Sequence, residues 1–125
     1  MAQLGEAHPV ALLLPHDDEG VGVVAKFFRA LGDPTRLRLL EYLLHEEHTV
    51  GECVEHVGLA QSRVSTHLAC LADCGYLTAR RSGRRTFYRV TDPRVGELVS
   101  LTRALAADNA AAVADCVRIA PQPGL

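Results

Sequence analysis

The chain has 125 residues, 48% of them hydrophobic, with no Trp and a formal net charge of −2. That length and apolarity fit a single domain with a Leu, Val and Ala core, and they argue against overall disorder. The longest apolar run, Val10 to Leu14, is too short to cross a bilayer, and no basic segment precedes it as in a signal peptide. The chain is therefore expected to be soluble and cytoplasmic, with no membrane partner.

The small net charge hides an asymmetry. Residues 1–20 carry Glu6, Asp17, Asp18 and Glu19 with no Lys or Arg. Residues 61–89 carry Arg63, Arg80, Arg81, Arg84, Arg85 and Arg89 against Asp73 alone. A basic face on a nearly neutral molecule is the electrostatic footprint of a nucleic-acid binder, although a solvated hairpin gives the same count.

Residues 1–17 hold Gly5, Pro9 and Pro15 and are expected to form a flexible arm, with His8 and His16 in it. A folded domain is expected over 18–119. Its first helix runs from about Asp18 to Leu31, capped by Asp17 or Asp18, with Val23, Phe27, Phe28 and Leu31 as its apolar stripe. Gly32 ends it. Asp33-Pro34 is a cap followed by a proline in the first helical turn, opening a second helix to about His45. Leu37, Leu40, Leu43 and Leu44 should face the core. His45 to Thr49 reads as a polar connection, with His45 and His48 at the surface.

Val50 to Val57 predicts a short helix with Cys53, Val54 and Val57 inward. Gly58-Leu59-Ala60 then makes a tight link into a helix over Gln61–Cys74, a helix-turn-helix arrangement. Val64, Leu68 and Leu71 recur at helical spacing on one face. Ser62, Ser65 and Thr66 point elsewhere, and Gly75 suits the helix end. Tyr76–Arg81 and Arg85–Val90 read as two strands around a Ser82-Gly83-Arg84 turn. Asp92-Pro93 opens a last helix from about Arg94 to Val117, with Leu98, Leu101 and Leu105 as its apolar face. Residues 120–125 form a tail, since Pro121 cannot continue a helix. The fold class is thus mainly α with a small β-hairpin (α+β).

Taken together, Ala30-Leu31-Gly32-Asp33-Pro34-Thr35-Arg36-Leu37, Gln61-Ser62-Arg63-Val64-Ser65-Thr66-His67-Leu68, Gly75-Tyr76-Leu77 and Phe87-Tyr88-Arg89-Val90 resemble the ArsR/SmtB family of metal-responsive repressors. The likeness covers Phe27 to Val90. It implies a homodimeric winged helix-turn-helix paired through its first and last helices, sitting on double-stranded operator DNA until an inducer releases it. The resemblance implies no enzymatic activity. Gln61, Ser62, Arg63, Ser65 and Thr66 would then lie nearest the bases, and Arg80, Arg81, Arg84 and Arg85 would meet phosphates or the minor groove. His67 matches the family's usual histidine and is taken as a packing or phosphate residue.

The family places inducer sites in several locations. The positions matching a cysteine pair in the first helix of the helix-turn-helix are Thr49 and Gly51, so that site is not expected. Asp92 and Asp108 match a zinc site on the last helix, but Arg94 and Leu105 stand where nitrogen ligands are needed. Cys70 and Cys74, one helical turn apart, resemble the cadmium- and lead-sensing branch, with Cys116 matching its third ligand in type. Three thiolates select soft ions such as Cd(II), Pb(II), Hg(II) or As(III), and no organic cofactor is implied. Cys53 is expected to be a packing residue. The alternatives are a thiol-based redox-sensing repressor, a thiol enzyme, for which His67 lies one turn away but nothing suggests a substrate cleft, and a module whose winged helix binds protein, from which salt-sensitive binding to a DNA duplex discriminates.

Overall fold

Helix starts in this chain are fixed by side-chain oxygens that accept otherwise unpaired amides. In the computed structural model, which describes residues 13–120, helix α1 (Asp18–Leu31) begins where Asp17 accepts the Gly20 amide at 2.8 Å. Helix α2 (Pro34–Tyr42) begins where Asp33 accepts the amides of Thr35 and Arg36 at 2.9 and 3.1 Å, with Pro34 in the first turn. Helix α3 (Val50–Val57) starts in a reciprocal capping box between Thr49 and Glu52. Helix α5 (Pro93–Asp108) repeats the pattern with Asp92 and Pro93.

Helix α4 (Gln61–Asp73) differs. Its N-cap is Ala60, and no side chain caps it. Its far end is closed instead, by Gly75 at φ +91°, with the Gly75 amide donating to Ala72 and the Tyr76 amide to Leu71. That pair of bonds is the Schellman arrangement, which the left-handed glycine permits.

Strands β2 (Thr78–Ser82) and β3 (Arg85–Arg89) pair antiparallel, with Ser82 opposite Arg85 and a two-residue turn between them. Gly83, at φ +62°, supplies the positive torsion that turn needs. A two-residue strand β1 (His48–Thr49) adds to the other edge of β3, giving the order β1-β3-β2. By sequence these two residues belong to a polar connection, His45 to Thr49. A strand this short has no period of its own and exists only through its partners Tyr88 and Phe87.

The core gathers Leu39, Leu40, Leu43, Cys53, Val64, Leu68, Leu71 and Tyr76, all essentially inaccessible. Tyr76 also anchors α1: its ring stacks on Phe27 with centroids 4.2 Å apart, and its hydroxyl donates to the Phe27 carbonyl at 2.9 Å.

Several expected core positions lie elsewhere. Leu37 is half-buried and lines a groove between α1, α2 and α5, while Leu39 takes the fully buried place. On α1, Val23 and Phe28 are exposed, as are Val21 and Val24. On α5, Val95 and Val99 are buried, whereas Leu101 and Leu105 are exposed. The last helix also breaks earlier than expected. The Asn109 side chain donates to the Leu105 carbonyl at 2.8 Å, a local bond that competes with the helical ladder. A short α6 (Ala110–Asp115) follows. Among the described residues no helix is long and apolar enough to cross a membrane. The expected arm, including His8, and the tail lie largely outside the described residues.

Replacing Tyr76 by Phe keeps the stack and deletes the hydroxyl bond. Urea unfolding should show a loss of about 1 kcal/mol for Y76F and about 3–5 kcal/mol for Y76A.

Candidate nucleic-acid interface and metal centre

Helix α4 divides its surface by function. Val64, Leu68 and Leu71 are sunk in the core, while Gln61, Ser62, Arg63 and Thr66 are exposed and Ser65 is half-buried. Thr66 donates its hydroxyl to the Ser62 carbonyl at 3.0 Å, which leaves its oxygen lone pairs free to accept. His67 turns towards the body of the protein. Its Nδ1 lies 3.3 Å from the Arg36 guanidinium, which can only donate, so Nδ1 accepts. Arg36 in turn donates from Nε to the Ala30 carbonyl at 2.7 Å, at the end of α1. His67 is therefore half-buried and hydrogen-bonded to Arg36.

The wing arginines are not equivalent. Arg80 forms a forked pair with Glu47, at 2.5 and 3.2 Å, and lies 4.4 Å above the Phe87 ring. Its guanidinium holds the Glu47 carboxyl below the ordinary carboxylate range. Arg81 is exposed and makes a long contact, 3.4 Å, with the Gly83 carbonyl. Arg84 and Arg85 are exposed at the tip and share an open cleft of about 610 Å³ with Gln61 and Ser65 of α4. Wing and reading helix thus meet along one surface.

At the opposite end of α4, Cys70 and Cys74 are half-buried and share a pocket of about 420 Å³. Its other walls are Lys26, Arg29 and Ala30 of α1, with Gly32, Asp33 and Arg36. Burial raises the Cys74 thiol above the ordinary range, and hydrogen-bond contact with Cys70 raises it further, while Lys26 pulls the other way. Two thiols one helical turn apart on one wall suit a soft cation. Cys116, exposed at the end of α6, does not line this pocket. Among the described residues of one chain, no group of three or more His, Cys, Asp or Glu side chains could hold a metal.

The remaining candidates resolve simply. Cys53 is fully buried, and burial, followed by Glu52, pushes its thiol up to about 11. Asp92 caps α5 and pairs with Arg94 at 2.6 Å. His48 was expected at the surface, yet its side chain is only 13% exposed. It stacks on Tyr42 at 3.9 Å, and His56 stacks on Tyr42 at the same distance. Sequence spacing gives no sign of that three-ring stack, because its members come from α2, β1 and α3.

Residues 33–79, from the α2 cap into the wing, match the family described as bacterial regulatory protein, arsR family. Over 95 residues the chain is 62% identical to a probable mercury resistance operon repressor of Streptomyces lividans, covering 76% of each protein. The chain belongs to the arsR family. Like the family, it is a DNA-binding transcription regulator and not an enzyme. Solved arsR-like structures share its fold. The crystal structure of Mycobacterium tuberculosis Rv0081 is 31% identical with a TM-score of 0.72, covering 78% of this chain and 99% of that one. The solution structure of Mb0332 (residues 1–100) from Mycobacterium bovis is described as a homodimeric winged helix-turn-helix DNA-binding domain. It is 28% identical with a TM-score of 0.66, covering 76% of this chain and 90% of that one.

Burial and a raised thiol should make Cys53 the last cysteine of this arsR-family chain to react. In native protein at pH 8, mass spectrometry should find Cys70 alkylated by iodoacetamide while Cys53 stays free until denaturant is added.

Proposed function

We propose that this chain is a homodimeric repressor that leaves its operator on capturing a thiophilic metal at Cys70 and Cys74. Hg(II) is the foremost inducer, and Cd(II), Pb(II) and As(III) belong to the same chemical class. One observation carries this reading: two thiols one helical turn apart line one pocket at the tail of the helix whose other end presents Gln61, Ser62, Arg63, Ser65 and Thr66. The 62% identity to a probable mercury resistance operon repressor supports Hg(II).

The dimer follows from exposed apolar surface. Val21, Val24 and Phe28 on α1, with Leu101, Leu105 and Val113 on α5 and α6, are all at least 42% exposed in the single chain. Surface of this kind marks an interface rather than a solvated face. The Mb0332 domain, described as homodimeric, has the same fold. In that pairing the third sulfur, Cys116, comes from the partner chain, since among the described residues of one chain no third ligand joins Cys70 and Cys74.

In the DNA-bound state α4 enters the major groove N-terminus first. Its uncapped amides and Gln61 to Thr66 face the DNA, and Arg84 and Arg85 contact phosphates beside it. Arg81 adds charge at the wing, while Arg80, held by Glu47, sets the wing's shape and contributes field more than direct contact. His67 fixes α4 against Arg36. Metal capture ties the tail of α4 to the end of the partner's last helix and so changes the tilt or spacing of the two reading heads. Release requires only that the metal bind the off-DNA geometry better.

The thiol contact also favours a second reading, a disulfide formed between Cys70 and Cys74 by an oxidant. Near-ultraviolet absorbance from sulfur-to-metal charge transfer separates the two.

A gel-shift series tests the proposal. C70S and C74S should bind operator within about twofold of wild type but need at least about tenfold more Hg(II) for release. R84A/R85A should do the converse: weaker DNA binding, a salt dependence shallower by about two contacts, and unchanged metal capture. Release of C70S and C74S at the wild-type metal concentration would place the inducer site elsewhere.

A further inference from the structure

The pocket around Cys70 and Cys74 is larger and more cationic than a metal ion needs. Its volume, about 420 Å³, falls within the range of small-molecule sites. Lys26, Arg29 and Arg36 line it, against Asp33 alone. The Asp33 carboxylate is already engaged in capping α2, and Arg36 is engaged with Ala30 and His67. Lys26 and Arg29 are exposed and form no ion pair among the described residues. Cys70 and, more weakly, Asp73 on α4 also act on the Cys74 thiol, both opposing Lys26.

A bare divalent cation approaching this rim is repelled by it. A soft metal already bound to two small thiols that bear carboxylates carries net negative charge and is attracted. We propose that the inducer is delivered to this pocket as an anionic bis(thiolate) complex, with Lys26 and Arg29 binding the carboxylates of the carrier thiols. This rests on the thiol-site reading above and names the chemical form of its ligand.

The exchange balances without an oxidant or reductant. The Cys70 sulfur forms a bond to the metal as one carrier thiolate leaves, and the Cys70 proton passes to the departing sulfur. Cys74 then displaces the second carrier in the same way. The metal keeps its oxidation state, and two free carrier thiols are the products.

Stopped-flow absorbance of the full-length dimer tests this. Hg(II) is presented as its complex with 3-mercaptopropionate (anionic), 2-mercaptoethanol (neutral) or cysteamine (cationic), each at the same excess of free thiol. The sulfur-to-mercury band should grow about tenfold faster from the anionic than from the cationic carrier at low salt, and the gap should close at 0.5 M salt. In K26Q/R29Q, whose substitutions are on the exposed surface, the band should reach the same final height while the carrier preference falls to whatever the thiols' own reactivities set. A variant that keeps the full wild-type preference, or a wild type that shows none, overturns the carrier inference alone. Absence of the band from every carrier overturns the thiol-site reading and this inference with it.

Discussion

The whole arrangement depends on the burial of one stripe, Val64, Leu68 and Leu71, which seats α4 in the core. Each of these side chains contributes about 1.5–3 kcal/mol by leaving water, so α4 is held as a rod and not as a surface segment. Everything functional on that rod is then placed by helical geometry alone. The polar residues of its first two turns look outward, and the sulfurs of its last two turns look towards α1. The closed C-terminal end at Cys74, Gly75 and Tyr76 stops the rod at the second sulfur, and Tyr76 immediately turns back to hold Phe27. A rigid connection of this kind lets a bond made at one end alter the aim of the other.

Arg36 sits where the parts meet. It hydrogen-bonds the last carbonyls of α1, touches His67 on α4 and lines the thiol pocket. Helix α1 therefore has two duties. One side closes over the sulfurs, and another presents Val21, Val24 and Phe28 to the outside. Anything that enters between α1 and α4 touches both the helix that carries exposed apolar surface and the helix that carries the exposed polar residues proposed to meet DNA. The packing of these two helices against one arginine is the element through which the proposed thiol site would couple to the proposed DNA contact. A further strut, between Arg103 of α5 and Glu41 of α2, ties the last long helix to the same body; the Arg103 guanidinium holds the Glu41 carboxyl below its ordinary range.

Much of this was legible in the sequence because its causes are local. Asp33-Pro34 and Asp92-Pro93 announced their helices, Gly75 and Gly83 announced an end and a turn, and the Val64 stripe announced the buried face. The rest had causes distant in the chain. Periodicity marks Leu101, Leu105 and Phe28 as apolar but does not say whether they face a core or a second subunit, and in the single chain they face outward. The strand His48–Thr49 exists only through β3. Arg80 looks like any other wing arginine until Glu47, 33 residues earlier, is seen beside it. Likewise Lys26 and Arg29 carry no sign in the sequence that they border Cys70 and Cys74, because folding alone brings α1 over that end of α4.

If metal and DNA compete through one rigid helix, each must weaken the other by the same factor. The most direct measurement is the affinity of the dimer for Cd(II) or Hg(II), in a fixed excess of competing small thiol, with and without a saturating operator duplex. Operator should weaken metal binding by the factor by which metal weakens operator binding, about tenfold or more. Equal metal affinity in the presence and absence of DNA would contradict the account, because sulfurs that do not sense the duplex cannot release it.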